Sequence, residues 1–194
     1  MKELGEMSLA ELWELFPIIL REHNPEYGQW YEEERTRLTT ILKDSDIFRI
    51  SHIGSTYVRG LISKPTIDIL LEFNEFYDEN SMTQILLGDG WLVMGRNPSE
   101  RTVDLNKGYT KKGFAEKVYH LHIKPAGDHS ELYFRDYLTE HPDVAEEYGV
   151  LKIRLKEEFE HDRDAYTSAK TDFVEKYSSL ARDEYGGRYT PKVT

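Results

Sequence analysis

Residues 51–73 read SHIGSTYVRGLISKPTIDILLEF, and the fold turns on how this stretch is parsed. Its first part continues a strand-like run, 47–52, and stops at Gly54-Ser55-Thr56; its last part, Thr66 to Phe73, alternates as a strand does. Ile67, Ile69, Leu71 and Phe73 then share one face, and Thr66, Asp68, Leu70 and Glu72 the other. The first set is a core face. An unpaired carboxylate buried on the second would cost several kcal/mol, so Asp68 is expected to be exposed, paired or metal-bound. A strand that ends in Gly-Ser and enters a short helical segment can aim backbone N–H groups and the Ser55 and Thr56 hydroxyls at an anion, with Gly54 allowing close approach. The same tripeptide also serves as an ordinary helix cap.

Outward from this stretch, further strands are expected at about 91–95, 102–109 and 116–124, the last two joined by the glycine-containing hairpin signal TKKGF. SMTQILLGDG (81–90) reads as a helix between strands. Upstream, Ser8 and Glu11 have capping-box spacing before a stripe of Leu12, Leu15, Phe16 and Ile19, so a helix is expected over 8–22, kinked or divided at Pro17. A second helix is expected from about Trp30 to Leu42. Downstream, ELYFRDYLTEH (131–141) and a longer pattern from Pro142 to Asp162 are helical; Tyr166, Ala169, Phe173, Tyr177 and Leu180 step by threes and fours in a third helix. The tail GGRYTPKVT is expected to fray. The reading is a mixed sheet core at about 45–125 between helices at about 8–43 and 130–182, one α+β domain over 1–194.

The 194 residues hold 36 acidic and 25 Lys and Arg side chains, a formal net charge of −11, which opposes broad binding to nucleic-acid backbones. Arg59, Lys64, Lys107, Lys111 and Lys112 nevertheless cluster in the middle third, where a local basic groove could take a nucleotide. With no cysteine, a thiol nucleophile and a Cys-based zinc site are excluded. No apolar run approaches the roughly 20 residues that span a bilayer, and MKELGEMSLAELWELF has no signal-peptide apolar core. A cytoplasmic protein without membrane contact is expected; oligomeric state is not readable.

HIGSTYVRGL-ISKPTIDIL, HLHI at 120–123, FRDYLTEHP at 134–142, YGVLK at 148–152 and DRDAYTSAKTDFV at 162–174, together with LWELFPIIL and NPEYGQWYEEE, resemble the GrpB family, a branch of the nucleotidyltransferase superfamily. The resemblance covers roughly residues 10–182. It implies a nucleotidyltransferase-like fold, a nucleoside triphosphate whose phosphates lie on the Gly-Ser turn, and a divalent metal, Mg²⁺ or Mn²⁺ more than Zn²⁺. In that pattern two carboxylates stand at i and i+2 on the strand, about 7 Å apart, with a third acid on a later strand. Gly54, Ser55 and Asp68 match, so Asp68 is the expected catalytic acid. Leu70 stands where the second acid belongs, and Glu72 lies about 7 Å too far along to replace it.

His120 and His122 share the polar face of VYHLHI and could stand near the third-acid position, making Asp68, His120 and His122 a candidate metal set. Arg135 and Lys152 match basic positions of the family and, with Arg59 and Lys64 beside the Gly-Ser turn, are candidate phosphate ligands; ion pairing within the protein is their alternative role. Three functions are therefore carried forward. They are nucleotidyl transfer to an acceptor the sequence does not specify, a non-catalytic module for a nucleotide or other phosphorylated small molecule, and an Asp/His metal-dependent hydrolase-like site.

Overall fold

The computed structural model describes residues 2–42, 47–74 and 77–192. Helix α1 (Leu9–Leu15) carries the expected capping box between Ser8 and Glu11 but ends before Pro17, not at 22. Proline has no N–H to donate and its ring clashes with the preceding turn. The chain runs on extended, and Arg21 bridges to Ser63. Helix α2 (Tyr27–Leu42) begins three residues earlier than Trp30, because the Asn24 side chain accepts from the Glu26 N–H at 3.0 Å and turns the chain into the helix.

Strands β1 (Ile47–Ile53), β2 (Ile67–Phe73), β3 (Leu92–Asn97), β4 (Thr102–Thr110) and β5 (Gly113–Pro125) form one mixed sheet in the order β1-β2-β5-β4-β3. β2 and β5 are parallel and the other pairs antiparallel. α3 (Glu79–Gly88) lies between β2 and β3 and is capped by Asp78, whose carboxylate accepts from Asn80 and Ser81 N–H groups. The expected core face packs as one cluster with α2 and α3: Ile67, Ile69, Leu71 and Phe73 meet Leu121, Ile123, Leu38 and Trp91.

The C-terminal helices are α4 (Ser130–Glu140), α5 (Pro142–Phe159), α6 (Arg163–Ser168) and α7 (Thr171–Tyr185), and Leu132 of α4 packs on Ile53 and Leu70 of the opposite face. The third expected helix is thus two pieces, broken at Ala169–Lys170. The break resets the phase, so that Tyr177, Ser178 and Ala181 are buried while Leu180 is exposed. The tail does not fray through residue 192. Tyr189 packs back on the sheet, its hydroxyl paired with Asp136 and accepting from Arg135 at 2.8 Å. Among the described residues no helix is long and apolar enough to cross a membrane.

The parallel register sets Asp68 beside His120 and Leu70 beside His122, and the antiparallel one sets His122 beside Asp104.

Candidate active-site cleft

Gly54 has φ +71° and ψ −175°, a backbone region nearly exclusive to glycine, and a Cβ there would lie 2.4 Å from Asp68 Oδ2. The turn and the carboxylate are therefore built against each other. Gly54→Ala is expected to lower stability by about 1–3 kcal/mol and to displace Asp68, read as a fall in denaturation midpoint. The helical segment after Gly54 is only a single 3-10 turn, Ser55–Tyr57. With so few aligned peptides it has little dipole to offer an anion.

Charge arrives from elsewhere. Lys152, buried on α5, donates to Ser55 Oγ at 3.0 Å and to the Ile62 carbonyl, with its ammonium 4.6 Å from the Tyr148 ring centroid. Lys64 and Lys170 both stand over the Tyr166 ring, at 5.6 and 4.3 Å. Among the described residues none of these three lysines has a carboxylate within ion-pair distance; Asp68 is paired with His120. Burial, and then repulsion from Lys170, pushes Lys64 and Lys152 down to about 7. Burial likewise pushes Lys170 down to about 8, with the Arg163 charge adding to it. The fully buried Tyr166 hydroxyl has no hydrogen-bond partner.

Asp68 Oδ1 accepts from His120 Nδ1 at 3.1 Å. Burial alone would raise this carboxyl, but the His120 hydrogen bond and the His120, His122 and Lys64 charges outweigh it and hold Asp68 near 2. Burial holds His120 below its ordinary range, so the imidazole is neutral near pH 7. Its Nε2 then accepts from Tyr109 O–H at 2.8 Å, and Arg163 donates to the same phenol oxygen at 2.9 Å. His122 pairs with Asp104 at 2.7 Å.

The structure thus clusters Gly54, Ser55, Asp68, His120 and Lys152 around one turn, with Lys64 near enough for its charge to act on Asp68. The other expected ligands stand elsewhere. Thr56 is buried and donates to the Thr66 carbonyl at 3.1 Å while accepting from His52 Nε2 at 3.0 Å. Burial, with the nearby Arg135 and His23 charges, pushes His52 down to about 4, which leaves it the neutral donor of that bridge. Arg135 is spent on the His52 carbonyl, Asp136 and Tyr189. With Arg59 it lines a groove of about 1120 Å³ behind the Gly54–Tyr57 turn, floored by Tyr31, Tyr57, Val150 and Ile153. That groove offers room; the Lys64, Lys152 and Lys170 cluster brings together charge without carboxylate partners, which makes it the candidate site. Of the other basic residues, Lys107 pairs with Glu34 and Asp89, and Lys111 with Glu3.

The proposed metal set is divided. Asp68 and His120 form one hydrogen-bonded pair and His122 and Asp104 another, and His120 has both ring nitrogens engaged. Among the described residues no three His, Asp or Glu side chains converge as a metal site requires. Leu70 is fully buried against Ile53 and Leu132. Glu72, also fully buried, is held by Arg49 and the Gly127 N–H. One carboxylate with one oxygen already bonded does not fit the two-metal arrangement. Sequence reasoning missed Tyr109, Asp104, Arg163, Tyr166 and Lys170; the last three lie in the DRDAYTSAK run, which carries the family resemblance yet gives these residues no role by its spacing.

The sheet order, the Gly-Ser turn facing a strand aspartate and the flanking helices define a nucleotidyltransferase-like fold. The GLD-2/RNP-8 complex structure shares it, with a TM-score of 0.53 at 13% identity over 89% of this chain and 70% of that one. Within that class the chain belongs to the GrpB family, whose model, described as GrpB protein, matches residues 17–179. It is similar to the crystal structure of conserved protein GrpB from Enterococcus faecalis, with a TM-score of 0.75 and 30% identity over 86% of this chain and 99% of that one. It is 28% identical to the UPF0157 protein YqkA of Bacillus subtilis (strain 168) over 93% of its own length, and it spans 52% of YqkA. It likewise spans 62% of the UPF0157 protein PA4798 of Pseudomonas aeruginosa, to which it is 34% identical over 78% of its own length.

Proposed function

We propose that the protein binds a nucleoside triphosphate in this cleft, the phosphates lying on the Gly54-Ser55 turn among Lys64, Lys152 and Lys170. The observation that carries the reading is the convergence of three partly or fully buried lysines with no carboxylate partner. Buried cations that repel one another are costly unless an anion joins them. Binding of ATP, GTP, CTP and UTP tests it by calorimetry. Lys152→Met is expected to weaken the best ligand at least about tenfold, the scale of one lost charge-assisted hydrogen bond. If none of the four triphosphates binds, the proposal is wrong.

Nucleotidyl transfer is the second reading, and Asp68 specifically favours it. Its Oδ2 faces the Gly54 turn while Oδ1 is fixed by His120, so the free oxygen can orient and deprotonate an acceptor hydroxyl. The acceptor oxygen would bond to the α-phosphorus as the bond to the bridging oxygen breaks. Its proton goes to Asp68, and pyrophosphate leaves into the lysines. Pyrophosphate release that falls at least about a hundredfold in Asp68→Asn, with triphosphate binding retained, supports transfer. Binding without release in the wild type leaves the module as a binding protein, the outcome favoured by Leu70 at the second-acid position.

A further inference from the structure

We infer that this cleft takes its polyphosphate as the free anion, its charge neutralised by lysine ammoniums, and not as a divalent-metal chelate. The inference rests on the triphosphate reading above and departs from what the fold class leads one to expect. A metal-chelate site needs several oxygen donors turned toward the phosphates, at the roughly 2.0–2.1 Å that Mg²⁺ requires. Here the i+2 donor position on β2 is Leu70, sealed in an apolar cluster, and the next acid on that face, Glu72, is consumed by Arg49. Asp68 retains one oxygen that His120 does not hold, and His120 itself has both nitrogens bonded within the protein.

Positive charge is nonetheless present, carried by side chains. Lys152 donates to Ser55 on the turn, Lys64 and Lys170 stand over the Tyr166 ring, and Arg163 donates to Tyr109. The Tyr166 ring carries both Lys64 and Lys170 on its faces, and its buried hydroxyl has no partner. A chelated ion would add positive charge beside lysines that burial already disfavours as ammoniums. It would also blunt the phosphate charge that the lysines need. The arrangement favours the bare anion on both counts.

The test is calorimetric titration of the full chain with ATP and, separately, inorganic pyrophosphate, each in excess EDTA and in excess Mg²⁺. Affinity in EDTA is expected to equal or exceed that in Mg²⁺, by about tenfold for ATP. Lys170→Met, on a partly exposed side chain, is expected to weaken binding in EDTA and narrow the difference. Should that variant not fold, the wild-type comparison decides alone. Binding that appears only with Mg²⁺, or tightens tenfold or more on its addition, overturns the inference and leaves the triphosphate reading standing. Binding of neither ligand in either buffer overturns both.

Discussion

Leu70→Asp, the substitution that would restore the acidic pair at positions 68 and 70, is expected to destabilise the protein by about 5 kcal/mol and to gain no metal-dependent nucleotide binding. Leu70 is fully buried and packs with Ile53 and Leu132, with Tyr189 against them. Removing a buried leucine side chain forfeits about 2–3 kcal/mol of apolar burial. Placing a carboxylate there adds a desolvation cost of several kcal/mol. The flanking acids on the same face, Asp68 and Glu72, repel the new charge. His122, its neighbour on β5, offsets little because it is already paired with Asp104. Urea denaturation of wild type, Leu70→Asn and Leu70→Asp separates the terms, because the asparagine variant loses the packing without adding the charge. A Leu70→Asp protein as stable as wild type that binds ATP only with Mg²⁺ would show that the apolar cluster yields and that a two-carboxylate site is one substitution away.

That position also marks where sequence and structure part company. Alternation in TIDILLEF and VYHLHI correctly separates Ile67, Ile69, Leu71, Tyr119, Leu121 and Ile123 from Asp68, His120 and His122, because period-two burial is a local property of a strand. The GrpB resemblance gives the fold class, and the chain proves to be a family member with that fold. Alternation is silent on whether the second face meets water. Leu132 of α4 packs on Leu70, and Arg49 and the Gly127 N–H enclose Glu72, so both are fully buried. Convergence of Lys64 and Lys152 depends on α5 packing against the Leu61–Ile62 loop, where Lys152 donates to the Ile62 carbonyl. Arg135, one helix earlier, points away for an equally tertiary reason: Asp136, Tyr189 and the His52 carbonyl hold it. The helix break that presents Lys170 carries neither proline nor glycine, so no local signal announces it.

Affinity for ATP in EDTA is expected to fall by at least about a hundredfold between pH 7 and 9, about tenfold per pH unit for each lysine that must regain its proton on binding. In the empty protein Lys64 and Lys152 are held near 7 and Lys170 near 8, chiefly by burial. A bound polyphosphate restores each to its ammonium form, so binding takes up protons wherever the free site has lost them. The ligand's own ionisation works the other way, since its terminal phosphate gains charge as pH rises through about 6. A fall in affinity therefore belongs to the protein. The same groups set an opposite trend for the empty protein's stability. Their folded values lie below the unfolded lysine value, so the unfolded chain binds more protons between about 7 and 10.4, and these groups make stability rise with pH across that window. Affinity that is flat or rising from pH 7 to 9 would mean that the lysines do not face the ligand. Proton uptake measured by calorimetry in buffers of different ionisation enthalpy distinguishes the cases directly, because a metal chelate held by Asp68 would bind without taking up protons from solution.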